Sequence, residues 1–374
     1  MSTPGAALAG TVRLTPGQPL PTVHSSRPTL IADRLARGRP ADELPGLLGA
    51  VFTLCSHAHR LTAQHAVQAA RGDAASPGVG ERVLLQAATA REQVLRITHD
   101  WPRLLPGMAC CADAALLLRS CPLWRDDLNV AAQLEALPAW LAHRWLGQPL
   151  QRWLQQHDDA PETWARDWCE RVDTPPARLL RKHAVALQDL ATPQHALRLL
   201  DDPLATMPEL ARRMAADARF CAEPDWRGRP ADTGPWTRAV DAAAPAADNA
   251  WMRLIARFVD VLRLAAPTGA DRLAQGALPL GGGAGIAWTE MARGLLVHWV
   301  QLEPSPTGLR VADCRVLAPT EWNFHPRGLL AQTLAGLRGA DATAQAARAA
   351  VAFDPCVEFS VDAASTTLRE PAHA

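Results

Sequence analysis

The chain has 374 residues, long enough to bury a large core, and its 38 Lys plus Arg equal its 38 Asp plus Glu. That balance supplies no field to recruit nucleic acid or an anionic lipid surface, and the longest apolar runs are broken well before the roughly 18 to 20 residues of a bilayer crossing. Eight cysteines spread thinly over the chain exclude a disulfide-stapled secreted domain and predict mostly reduced thiols.

The N-terminus, MSTPGAALAG, lacks the basic and apolar segments of a signal peptide, so a cytoplasmic protein is expected. Residues 1–8 and 363–374 are expected to fray. In FTLCSHAHRLTAQHAV (52–67), Cys55 and His59 stand four apart at the entry to a helix, hence on one face. A thiolate and an imidazole at that spacing can share a metal or a hydrogen bond, although two ligands do not by themselves make a site. His57 and His65 read as solvated.

Helical apolar stripes follow at 81–98, at 128–154 and at 177–190, the last opened by Thr174 as N-cap with Pro175 and Pro176 in its first turn. Vicinal Cys110 and Cys111, with Cys121, Cys169 and Cys221, read as core. The aperiodic stretch 222–250, rich in Pro, Ala, Gly and Asp, predicts a long surface loop. The clearest stripe comes next: Trp251, Leu254, Ile255, Phe258, Val259 and Leu262.

GGGAG (281–285) lacks the Lys-Ser/Thr of a P-loop, follows a poor strand in RLAQGALPL, and reads as a loop. LLVHWVQL (295–302) and GLRVADCRVL (308–317) flank EPSPT as a small antiparallel hairpin. A turn centred between Ser305 and Pro306 places Arg293 opposite Ala318 and within a residue or two of Thr320. His298 and Trp299, on opposite faces of the first strand, read as packing. Near the end, FDPCVEF (353–359) holds half of a Cys-x-x-Cys chelate, with Phe359 where the second cysteine would stand.

Four of these stretches resemble, in order, the large subunit of nickel-iron hydrogenases. GRPADELPGLLGAVFTLCSHAH (38–59) is similar to the approach to that family's Cys-x-x-Cys-x-x-x-His motif, with Phe52 replacing the first cysteine, Cys55 at the second and His59 at the histidine. GIAWTEMARGLLVHW (285–299) places Arg293 at the arginine of Glu-Ala-Pro-Arg-Gly. CRVLAPTEWNFHPR (314–327) keeps Pro319, Thr320, Trp322 and Asn323 of Val-Pro-Ser/Thr-x-Trp-Asn, and FDPCVEF carries Asp354 and Cys356 of the closing Asp-Pro-Cys-x-x-Cys. The similarity covers about residues 10 to 362 of one domain spanning 1–374, and implies an α+β, predominantly helical, large-subunit-like fold. The departures are specific as well. Two of the four thiolates are missing, and the family's hard-metal histidine falls at Asp362.

The groups that cradle cyanide and carbon monoxide on iron in that family are matched by Arg293 and Thr320 as donors and by Leu317, Ala318 and Pro319 as an apolar wall. The resemblance therefore points to the HoxV/HupK family of hydrogenase accessory proteins, which implies a scaffold and not an enzyme. The implied cargo is the unit Fe(CN)2(CO), transiently held by Cys55 and Cys356 without nickel, with His59 donating an N–H to the Cys55 sulfur. The implied partners are a HypC-type maturation chaperone with its HypD-type partner, and an apo hydrogenase large subunit. A metal-free interaction protein is the alternative reading, and an active hydrogenase the third.

Overall fold

The computed structural model describes residues 10–28, 30–73, 76–106, 113–241 and 246–363. The expected frayed ends, apart from Ala363, and the Cys110-Cys111 pair lie outside the described residues. Helices dominate, with two small sheets, an α+β architecture. Among the described residues no helix is long and apolar enough to cross a membrane.

The first sheet joins the two ends of the chain. Strand β1 (Val12–Leu14) pairs antiparallel with β2 (Val23–Ser25) and parallel with β7 (Phe359–Val361), so Val12 lies opposite Phe359. That pairing carries the segment after β2 to the Cys356 turn.

Helix α1 (Ser56–Ala70) and α2 (Val79–Leu95) arise where expected. The 128–154 stripe is two helices rather than one: α3 (Val130–Leu141) runs into a π turn that ends at Gly147 with φ 67°, and a new helix begins at Leu150 after Pro149. The left-handed glycine and the following proline end the helix. In α4 (Pro175–Gln188) both prolines sit in the first turn, yet the Thr174 hydroxyl leaves the helix end and donates to the Trp145 carbonyl at 2.6 Å. Helix α5 (Ala250–Leu264) runs through the core, where Phe258 meets Trp145, Trp153 and Trp168 at ring-centroid distances of 5.5, 5.6 and 5.3 Å.

The stretch 222–250 is not a surface loop throughout. Residues 231–238 are buried, and the reason is charge pairing rather than apolar periodicity. Asp232 takes an ion pair from Arg253 and a hydrogen bond from the Trp236 indole, while Arg238 pairs with Asp260 at 2.7 Å. Buried charges of this kind persist because each is compensated.

The expected hairpin belongs to a four-stranded antiparallel sheet: β3 (Gln275–Gly281), β4 (Ala284–Met291), β5 (Gly294–Ser305) and β6 (Gly308–Leu317). RLAQGALPL does form a strand, because at a sheet edge Pro279 and Gly276 cost few ladder bonds. The β5–β6 turn is Pro306-Thr307, one residue later than expected, and a bulge shifts the ladder again between Gln301 and Leu302. Arg293 therefore has no partner in the β5–β6 ladder. It sits in the two-residue Ala292-Arg293 turn between β4 and β5. Gly294 closes that turn at φ 132°, and a Cβ there would lie 2.5 Å from the Thr233 hydroxyl.

Candidate functional site

Cys55 ends a short turn (Thr53–Cys55) and forms the N-cap of α1, 5 % exposed. Phe52, at the position of a missing cysteine, stacks on the His59 ring at 3.9 Å and 15°. His59 is 1 % exposed, and its Nδ1 shares a hydrogen with His298 Nε2 at 3.1 Å. Its hydrogen bond thus runs to His298 rather than to the Cys55 sulfur, and His298 is more than packing. The alternation of β5 turns His298 inward, beneath α1. Burial holds both imidazoles neutral: His59 lies well below its ordinary value, and His298 is pushed down to about 3. Replacing His59 by Phe is expected to cost about 1–3 kcal/mol in denaturant unfolding, since His298 loses its partner in a dry site.

The other sulfur comes from the end of α7 (Ala342–Phe353). Asp354 caps that helix at φ 57°, a conformation unusual for a side-chain-bearing residue preceding proline. It is held there by three guanidinium groups: Arg96, Arg257 at 3.1 Å and Arg293 at 3.5 Å. Burial works against its charge, but Arg257, Arg96 and Arg293 outweigh it and leave the carboxyl at about 2. Arg293 also reaches Glu92 on α2 at 3.0 Å. There burial wins, and Glu92 rises to about 7 despite Arg293.

Cys356 is half-buried and receives two donors on its sulfur. The Thr320 hydroxyl donates at 3.1 Å and Arg27 Nη1 at 3.0 Å, while the Cys356 amide donates back to Thr320 Oγ1 at 3.3 Å. Thr320 is placed by α6 (Pro319–Asn323), whose first residue is Pro319. Arg27 arrives from the segment after β2 and is clamped by Glu321 at 2.7 Å.

Cys55 and Cys356 line one cavity of about 110 Å³, together with Arg27, Phe52, Val316 and Ala318. Strand alternation decides the wall: Val316 and Ala318 face the cavity, while Leu317 turns away into a second core with Val297 and Trp322. Pro319 and His59 do not line it either. Thr320 meets Cys356 by a hydrogen bond, whereas Arg293 spends its ion pairs on Glu92 and Asp354 and acts on the sulfurs by charge alone; neither lines the cavity. Burial opposes the Arg293 charge, but Asp354, Glu92 and the two sulfurs hold it in place. Burial, Glu92 and Cys356 push the Cys55 thiol well up, against Arg293 and Arg27. Asp362, at the place of a hard-metal histidine, forms an exposed ion pair with Arg13.

Among the described residues no group of three or more His, Cys, Asp or Glu is arranged to hold a metal ion. Two sulfurs beside cationic donors suit instead a metal that brings its own anionic ligands, because thiolates bind the metal and the guanidinium groups answer the ligands' charge. Arg27, Glu321, Glu92, Arg96 and Arg257 were not legible as site residues. Arg27, Glu92, Arg96 and Arg257 lie in no recognisable spacing, Glu321 fills only the variable position of the Pro-Thr-x-Trp-Asn stretch, and long-range contacts bring all five to the site.

No protein-family model matches the chain. It is 36 % identical to the hydrogenase expression/formation protein HoxV of Cupriavidus necator, over all of both chains. It is 33 % identical to HupK of Bradyrhizobium diazoefficiens, covering 93 % of this chain and 92 % of that protein, and 34 % identical to HupK of Rhizobium leguminosarum, covering 91 % of each. Its fold matches hydrogenase large subunits. An NAD+-reducing [NiFe]-hydrogenase in the H2-reduced state aligns with TM-score 0.51 and 18 % identity, over 87 % of this chain and 89 % of that one. The reduced Ni-Fe-Se hydrogenase of D. vulgaris Hildenborough aligns with TM-score 0.50 and 14 % identity, over 89 % and 92 %. With relatives matched over nine-tenths or more of their length, the chain belongs to the HoxV/HupK family of hydrogenase expression/formation proteins: it is an accessory protein with the fold of the hydrogenase large subunit and is not itself a hydrogenase.

Proposed function

We propose that the chain is a maturation scaffold that carries Fe(CN)2(CO) between Cys55 and Cys356 and delivers it to an apo hydrogenase large subunit. The observation that carries this reading is the cavity that both Cys55 and Cys356 line, with Thr320 and Arg27 donating to the Cys356 sulfur. Three diatomic ligands and two thiolates leave the iron one position short of six, which suits a unit that must leave again. Val316 and Ala318 give carbon monoxide an apolar wall, and the nearby donors suit cyanide, whose nitrogen accepts hydrogen bonds.

The unit is received, in this reading, from a HypC-type chaperone with its HypD-type partner in the cytoplasm. The protein purified anaerobically from cells with an intact maturation pathway is expected to contain iron without nickel, and to absorb in the infrared where bound cyanide and carbon monoxide do. An interaction-only protein gives neither iron nor bands, and that outcome would overturn the proposal.

A further inference from the structure

We propose that Arg27 is a selectivity residue of the two-cysteine site: its guanidinium, clamped by Glu321, occupies the position beside the Cys356 sulfur that a free divalent cation needs. The site then turns bare cations away and admits an anionic metal unit. The identity of that unit rests on the function proposed above, whereas exclusion of cations is a property of the metal-free protein and is tested on it.

The geometry is particular. Arg27 spends Nη1 on the Cys356 sulfur at 3.0 Å and Nε on Glu321 Oε1 at 2.7 Å, with side chains only 11 % and 8 % exposed. Thr320 donates to the same sulfur, so two donors already crowd its approach. A bare cation that takes the remaining lone pair of the thiolate has to sit beside a fixed positive charge that is itself held within hydrogen-bond distance of the sulfur. Cyanide on iron meets the opposite situation, because a guanidinium N–H is the strong charge-assisted donor its nitrogen accepts.

The Arg27–Glu321 pair is also a partition. Both residues line the cavity of the two cysteines, and both line a second cavity of about 340 Å³ that includes His24, Glu223 and Phe324. A pair that served only to neutralise Glu321 would have no need to direct a donor at Cys356. An arginine guanidinium stays cationic at any ordinary pH, so the charge beside Cys356 is permanent. Phe52 and Phe359 remove sulfur ligands from the site, and Arg27 adds a charge that opposes any bare ion still attracted by the two that remain.

The test titrates the metal-free protein with Ni2+ alone and with Zn2+ alone, followed by equilibrium dialysis with metal analysis. Arg27→Gln/Glu321→Gln removes both charges together, so neither is stranded. Arg27→Leu/Glu321→Leu is the second variant, because apolar replacement of a buried ion pair is commonly tolerated. Each folded variant is expected to bind at least one of the ions about 10-fold or more tighter than the parent. Arg27→Lys, which keeps the charge, is expected to stay near the parent, and adding Cys356→Ala is expected to erase the gain. Affinities unchanged in a variant with native circular dichroism, or a gain that survives Cys356→Ala, would overturn the assignment. Absence of iron-carbonyl bands in the parent protein would overturn the cargo reading and leave this measurement standing.

Discussion

Replacing Cys356 by Ala is expected to abolish the cyanide and carbon monoxide bands and to lower bound iron by more than about 100-fold. Removing a neighbour of a metal ligand commonly costs 10–100-fold in affinity, and removal of one of only two protein ligands costs more. Cys55→Ala is expected to do the same, but the two sulfurs are placed differently. Cys55 is 5 % exposed at the start of α1, whereas Cys356 is half-buried and borders a further surface cavity together with Leu54 and Phe359. The Cys55→Ala/Cys356→Ala double variant, read by infrared spectroscopy and metal analysis on the same preparation, decides the matter. Bands retained at parental intensity would mean that the unit is held elsewhere.

Asp354→Asn is expected to be the most damaging single substitution for stability, by about 3–5 kcal/mol at neutral pH, because Arg96, Arg257 and Arg293 then face a neutral amide in a dry site. The pH dependence follows from the depressed carboxyl. A folded-state value of about 2, against an unfolded value of about 3.9, contributes stability that is fully present above about pH 4 and is lost as pH falls toward 2. Its neighbour acts in the opposite direction. Glu92, raised to about 7, contributes stability that is present below about pH 4 and is lost as pH rises through 7.

Urea unfolding between about pH 3 and 8, with Glu92→Gln as the background that removes the second titration, isolates the Asp354 contribution. The parent in that background should weaken on the acid side, and Asp354→Asn should flatten that limb. A variant within about 1 kcal/mol of the parent at neutral pH would show that the three arginines do not depend on Asp354.

What could be read along the chain was whatever repeats or is spaced locally. Trp251, Leu254, Phe258 and Leu262 recur at three and four, and a helix follows because one face must leave water. Cys55 and His59 at a helix entry, and Asp354-Pro355-Cys356 before a short strand, stand out by residue type and spacing, and the four ordered stretches were enough to show the family. The edge strand β3 reads as a poor strand because its glycines and proline argue against one until β4 is there to pair with it. The burial of 231–238 escaped notice because Asp232 and Arg238 look solvated until Arg253 and Asp260 are placed beside them.

The surroundings of the two sulfurs belong to the tertiary structure alone. Arg27 and Cys356 are 329 positions apart, and His59 and His298 are 239 apart. No local propensity carries information over such distances. The parallel pairing of β1 with β7 and the Glu321 clamp set Arg27 against Cys356, and the packing of α1 over β5 sets His59 against His298. Sequence by itself determined the family, the main helices and which thiols to look at. Tertiary structure decided which charges meet those thiols, because a buried charge persists only where chain segments far apart in sequence compensate one another.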